Sequence, residues 1–142
     1  MRFKWLEESI CETASYYFLP KLTKYWKRIN VQLVDSDDNL YANLFTTYVV
    51  DNSAKAVPFN IFDQNEILNL ENDCYQRGKN AYVANLLIPI FRKHCETWTA
   101  IHFLGDISED LPLRDALKEW IQLSPRQCHN GLKQIYSLFF EE

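Results

Sequence analysis

The chain has 142 residues and a mass of 16.9 kDa, which is the size of one domain. Hydrophobic residues make up 47% of the sequence, with only 3 Gly and 5 Pro, so disorder, collagen-like repeats and low complexity are excluded. Aromatic residues make up 15%, which supplies a large core without disulfides, and the net charge is −4 at pH 7. We predict one globular domain over residues 1–142.

The first helix is predicted from a regular apolar spacing. From Phe3 to Tyr17, apolar residues recur at three- and four-residue steps, which is the period of one helical face. Pro20 is expected to end or bend this helix, because proline removes a backbone hydrogen bond. A second short helix is expected to follow, with Trp26 and Ile29 among its apolar residues.

Residues 40–50 are compatible with two structures. Their apolar residues fall at helical spacing, whereas Thr46–Val50 has the β-branched composition of a strand. We favour a helix, because neither set of alternate residues is uniformly apolar. The alternative is an α+β fold with a small antiparallel sheet from residues 29–62.

Start and stop signals are clearer in the second half of the chain. Asp63, followed by Glu66, predicts the start of a helix, and Gly78 predicts its end as a left-handed cap. The longest helix is expected over residues 79–104, where one face is apolar, with a kink at Pro89.

Two further helices are expected after residue 104. Ser108 is predicted to cap the first, which would place Glu109 and Asp110 in its first turn, and the last helix is predicted to begin at Pro125. The expected architecture is all-α, a compact single-domain bundle of six or seven helices around the long kinked helix 79–104.

Charge is distributed unevenly along the chain. Residues 31–74 hold eight acids and one base, so this stretch carries −7. An acidic block of this kind either keeps a protein soluble or attracts a cationic partner protein. We predict the second role and assign the docking surface to two acidic groups: Asp35, Asp37, Asp38, Asp106, Glu109 and Asp110.

Two aromatic residues of the first helix are candidates for the same surface. Trp5 and Tyr16 lie opposite the apolar stripe in a helical projection, and Glu8 and Glu12 flank them. A covering helix is the commoner reason for a second apolar face. Exposed rings beside acids, however, are typical of an interface anchor, so the predicted partner-binding surface includes Trp5 and Tyr16.

No sequence motif supports catalysis or metal binding. His94-Cys95 and Cys128-His129 are neighbouring pairs whose side chains point about 100° apart on a helix, so one pair cannot bind one metal ion. Hydrogen-bonded histidines and buried thiols are the expected state of these residues. We therefore predict no cofactor, no metal and no enzymatic activity.

Nucleic acids and membranes are disfavoured partners. Lys21, Lys24, Lys27 and Arg28 alternate with aromatic residues, as in proteins that bind a phosphate backbone, but basic residues at a helix end also complement the helix dipole. The acidic block repels phosphate, and no apolar stretch reaches the roughly 18–20 residues of a membrane span. Without a secretory signal, and with four dispersed cysteines, the chain is predicted to be cytoplasmic.

Small size, acidity and abundant aromatic residues favour a non-enzymatic protein-binding module. The prediction is an inhibitor of a basic protein, comparable to a bacterial immunity or antitoxin protein, which blocks its partner sterically and electrostatically. One alternative is an adaptor or regulator that binds an amphipathic helix in a groove whose floor is the long helix. A less supported alternative is a small helical enzyme that uses carboxylates or the His94 and Cys128 side chains.

Overall fold

The computed structural model describes residues 3–30 and 40–140, and these ranges contain helices and their connections but no strand. The α-helices are α1 (Lys4–Asn30), α2 (Leu40–Ala54), α3 (Gln64–Asn72), α4 (Arg77–Lys93), α5 (Leu113–Leu123) and α6 (His129–Phe139). A 3-10 segment (Cys95–Asp106) lies between α4 and α5, and a 3-10 turn (Arg126–Cys128) leads directly into α6. The prediction of an all-α fold is confirmed, and residues 40–50 are helical.

The core lies where α4, the 3-10 segment, α5, α6 and the first half of α1 meet. Trp5, Leu87, Phe91 and Trp120 are fully buried there. The indole N–H of Trp120 donates a hydrogen bond of 2.8 Å to the carbonyl of Ala100, which joins α5 to the 3-10 segment. Large rings therefore fill the centre, as the aromatic content of the sequence predicts.

Helix α1 is longer than predicted, because it continues through Pro20 to Asn30. A proline inside a helix costs about 3 kcal/mol. Burial on both sides of the proline offsets this cost, since Tyr16 precedes it and Thr23 follows it, and both are buried. Tertiary packing against α4 and α2 thus maintains a helix that the local sequence disfavours.

The predicted long helix over residues 79–104 is two helical segments instead of one. The backbone leaves the α-helix at His94, with φ −124° and ψ 71°, and 3-10 turns begin at Cys95. The new direction brings Thr97 against α6 at Gly131, where a Cβ atom would overlap the Thr97 hydroxyl oxygen. Pro89 lies inside α4, so the break falls after the proline.

The predicted start of α3 is confirmed and its predicted end is wrong. Asp63 is the N-cap, and its carboxylate accepts a hydrogen bond of 2.9 Å from the backbone N–H of Asn65. Gly78 does not cap α3 but lies in the first turn of α4. Its small size is required by a crossing chain, because a Cβ atom there would lie 2.6 Å from Cγ2 of Val57.

The predicted cap of α5 is also wrong. The helix begins at Leu113 after Pro112, not after Ser108. Ser108 is instead bonded to the middle of α5, where the carboxylate of Glu119 accepts hydrogen bonds from its backbone N–H (2.8 Å) and its hydroxyl (3.0 Å). Residues 107–110 therefore form a loop that is attached to the side of α5. Together with Asp106, the last residue of the 3-10 segment, they are called the acidic loop below.

Candidate functional site

A groove with a volume of about 930 Å³ lies between α3, the start of α5 and the end of α6. Most of its lining is apolar, and it includes the side chains Ile61, Phe62, Ile67, Leu68, Leu113 and Phe140. Phe62 is 51% exposed and Leu68 is 50% exposed. Exposed apolar side chains around a concave surface are typical of a binding site for an apolar segment.

Local interactions hold α3 at the edge of the groove. The Asn60 side-chain oxygen accepts a hydrogen bond of 3.1 Å from the N–H of Phe62, which shapes the turn before the helix. Leu70 fixes the inner face of α3 because it is fully buried, and the salt bridge between Glu66 and Lys79 joins α3 to α4. Leu68 lies off this buried face and remains exposed.

The opposite wall of the groove is aromatic with one cation. The Arg114 guanidinium carbon lies 4.7 Å from the centre of the Phe140 ring, which is within the range of a cation–π contact. Phe139, next to it, is buried and makes an edge-to-face contact with Trp5 at 5.8 Å between ring centres. This wall is therefore anchored in the core through α6.

The acidic loop lies directly before the groove in the chain. Asp106, Glu109 and Asp110 are all exposed, and Asp110 precedes the groove residue Pro112 by two positions. Because Ser108 bonds to Glu119, the loop is attached to a rigid helix. The other predicted acidic group, Asp35, Asp37 and Asp38, lies outside the described residues.

Trp5 and Tyr16 are not on the surface, so their predicted role as exposed anchors is wrong. Trp5 is completely buried in the main core, and Tyr16 is buried in a smaller cluster with Ala84 and Ile88 of α4. Burial and the nearby Glu12 carboxylate raise the pKa of the Tyr16 phenol. Residues of α4 and α2 cover Tyr16, and Phe139 of α6 contacts Trp5, which the periodicity of α1 alone did not reveal.

The histidines and cysteines near α6 are engaged in hydrogen bonds. The His94 Nε2 atom lies 3.0 Å from the Gln134 amide nitrogen, and its Nδ1 atom lies 3.4 Å from a Glu96 carboxylate oxygen. The Cys128 thiol is buried and donates to the Glu96 carbonyl at 3.1 Å, and burial raises its pKa. Within residues 3–30 and 40–140, no group of three or more His, Cys, Asp or Glu side chains is arranged to hold a metal ion.

Sequence reasoning did not find the groove. One signal was available, because Leu68 is apolar but out of phase with the inward stripe of Ile67 and Leu70. No residue of 79–104, the predicted floor of an adaptor groove, lines this groove, which lies between α3, α5 and α6. Three segments far apart in the sequence form it.

No helix in the described part of the chain is long and apolar enough to cross a membrane. No protein family model, no curated protein and no solved structure matches the chain. The functional argument therefore depends on the groove, the acidic loop and the surfaces around them.

Proposed function

We propose that the chain is a cytoplasmic, non-enzymatic protein-binding module that captures and inhibits a basic partner protein, in the manner of an immunity or antitoxin protein. The observation that supports this proposal is that the exposed acidic residues Glu109 and Asp110 come directly before the groove residues Pro112 and Leu113 in the chain. An apolar segment of the partner enters the groove, and basic residues around that segment meet Glu109 and Asp110.

The two parts of the site have different roles. Exposed Phe62 and Leu68 provide apolar area, which slows dissociation once the partner is bound. The acidic loop and the acidic residues of the 31–74 stretch, including Asp37 and Asp38, accelerate encounter with a positively charged protein. Affinity therefore comes mainly from the groove, and the association rate from the carboxylates.

A model peptide of about 18 residues, with leucines on one helical face and lysines on the other, tests this division. The same peptide with glutamate in place of lysine is the control for charge. We expect the lysine peptide to bind about tenfold more tightly at low salt, and added salt to remove most of that difference. Equal binding of the two peptides would refute a site selective for basic partners.

Variants separate the groove from the charges. Leu68→Lys is expected to weaken the lysine peptide about tenfold, mainly through faster dissociation. Leu123→Lys is the matched control, because Leu123 is exposed at the end of α5 opposite to the groove. Charge reversal by Asp37→Lys with Asp38→Lys, or by Glu109→Lys with Asp110→Lys, is expected to slow association several-fold. If neither charge reversal changes the association rate, the carboxylates do not steer the partner.

The groove also favours a second candidate function, an adaptor or regulator that binds an amphipathic helix without inhibiting its owner. Its mainly apolar lining fits that partner equally well. The two functions differ in what happens to the bound protein. The ligand is a protein that binds the wild type but not Leu68→Lys. If binding abolishes the activity of that protein, the chain is an inhibitor; if the activity is unchanged, the chain is an adaptor.

A further inference from the structure

Helix α2 has the composition of a covered helix but lies on the surface. No residue from Leu40 to Val50 is charged, and Asp51 is the one charged residue of the helix. Nevertheless, Ala42 is the one buried residue within 41–54. Surface helices normally carry charged residues on their solvent side, and helices without them are normally covered. The composition therefore indicates that something packs over α2.

The exposed apolar residues of α2 form one stripe. Tyr41, Leu44 and Tyr48 follow each other at steps of three and four residues, which places them on one side of the helix. Phe18, Leu22 and Tyr25 form a similar stripe on the second half of α1. All six side chains are between 41% and 54% exposed. We call these the α2 stripe and the α1 stripe.

Contacts at both ends show that α1 and α2 run antiparallel. The rings of Trp26 and Tyr41 lie 5.4 Å apart near the end of α1 and the start of α2. Further along, the Tyr48 hydroxyl donates a hydrogen bond of 3.0 Å to the Glu12 carboxylate. Later positions of α2 thus pair with earlier positions of α1.

The two stripes lie on the same side of this helix pair. On α1, Glu12 and Trp26 mark the line that faces α2, and the α1 stripe lies about 100° before that line in the helical projection. On α2, Ala42 is buried and Val49 packs against Tyr16 of α1 and Ala84 of α4, so these two residues mark the line that faces α1 and α4. The α2 stripe lies about 120° before that line, and its tyrosines reach α1 from this side. The two helices run in opposite directions. A stripe that precedes the inward line on each helix therefore falls on the same face of the pair.

The combined face is large enough to form a dimer. An aromatic side chain has about 150–250 Å² of surface, and four of the six half-exposed side chains are aromatic, so the face offers about 500–600 Å². That is at the upper end of the largest apolar patch on a typical monomer, which is about 300–600 Å². Complete burial of two such faces removes about 1,000–1,200 Å² from water, which is at the lower limit of the area of a specific interface.

We propose that this face joins two copies of the chain in a twofold dimer, in which the α1–α2 pairs form a four-helix arrangement. An interface of this type requires one surface to be complementary to itself. The six side chains meet that requirement, because they are uncharged and bring no like charges together. The cations Lys21, Lys24 and Arg28 lie to one side of the α1 stripe, at the rim of the face, in the helical projection.

Sedimentation velocity of the full chain over a range of concentrations tests the dimer. The wild type is expected to shift from monomer to dimer with concentration, and its melting temperature is expected to rise with concentration. Leu44→Lys is expected to weaken the dimer on the order of 100-fold, because it places two like charges in the interface. Leu68→Lys is the matched control, since Leu68 has nearly the same exposure, 50% against 53%, but lines the groove.

The outcomes are distinguishable from those of the peptide experiment. Leu44→Lys should weaken the dimer and leave peptide binding unchanged, whereas Leu68→Lys should leave the dimer unchanged and weaken peptide binding. A wild type that stays monomeric with a concentration-independent melting temperature overturns the proposal. A dimer unaffected by Leu44→Lys, or a monomer whose α2 face instead binds a different protein or a lipid vesicle, also overturns it. Circular dichroism verifies that each variant is folded.

Discussion

Helix α1 passes through two environments without changing its backbone conformation. Up to Tyr17, its inward stripe packs in the core with α4. Beyond that residue, the same helical positions carry Lys21, Lys24 and Arg28, all of which are exposed. The first half belongs to the packed body of the protein, and the second half forms, with α2, a pair of helices that this body covers incompletely. Helical structure therefore does not by itself indicate burial in this chain.

The two regions also use their aromatic residues differently. In the body, Trp5, Phe91 and Trp120 are buried and in contact with other rings or backbone carbonyls. In the α1–α2 pair, Tyr25 and Tyr41 are more than half exposed. Rings exposed in this way contribute little to folding and are available for a partner. This contrast predicts where substitutions will change stability and where they will change association.

The largest difference between the two regions is expected for a pair of leucine truncations. Leu87→Ala in the body removes a fully buried side chain and should lower the free energy of unfolding by about 3 kcal/mol. Leu44→Ala, on the exposed stripe of α2, should cost less than about 1 kcal/mol at low protein concentration. Urea denaturation of both variants measures the difference. Equal losses would show that α2 is as tightly packed as the body.

The second-largest loss of stability is expected when one of two glycines of the body is replaced by alanine. Gly131→Ala places a Cβ atom onto the Thr97 side chain and 3.1 Å from the His94 Cβ atom, so we expect a loss of about 2 kcal/mol. Gly105→Ala is the control, because no atom lies within 4 Å of the added carbon. Thermal unfolding followed by circular dichroism compares them. A harmless Gly131→Ala would mean that α6 and the 3-10 segment are loosely packed.

The smallest effect is expected from alkaline pH at the boundary between the regions. The raised pKa of Tyr16 means that the folded protein keeps this phenol protonated, whereas the unfolded chain ionises near the ordinary value of 10.0. The contribution of the protonated Tyr16 phenol to the free energy of unfolding is therefore complete below pH 10 and is lost as the pH rises above 10. Tyr16→Phe should make the alkaline decline in stability shallower, and Tyr75→Phe, at a strongly exposed ring, should leave it unchanged. Denaturation at several pH values measures both slopes.

Local signals predicted some elements well. The helical choice for residues 40–50 was correct because the spacing of apolar residues outweighed β-branched composition. The start of α3 was correct because an Asp N-cap acts within one turn of chain. Gly78 and Ser108 were misassigned because their roles depend on partners outside their own turn, Val57 in one case and Glu119 in the other.

The predicted site was only partly placed. Asp106, Glu109 and Asp110 are exposed as an acidic surface requires, because Asp106 ends the 3-10 segment and the other two belong to the loop that follows it. Trp5 and Tyr16 are buried, and the groove residues Phe62 and Leu68 were not predicted. A helical projection shows that a second face is apolar, but it does not show whether another helix covers that face.

The sequence by itself determined that the chain is all-α, roughly where its helices run and how its charge is distributed, because periodicity, N-caps and composition act over a few residues. Tertiary structure alone decided that α1 continues through Pro20, that the chain breaks at His94, and which apolar faces are covered. Each of these outcomes depends on contacts between segments that are far apart in the chain. The groove and the exposed α1–α2 face both result from these tertiary contacts.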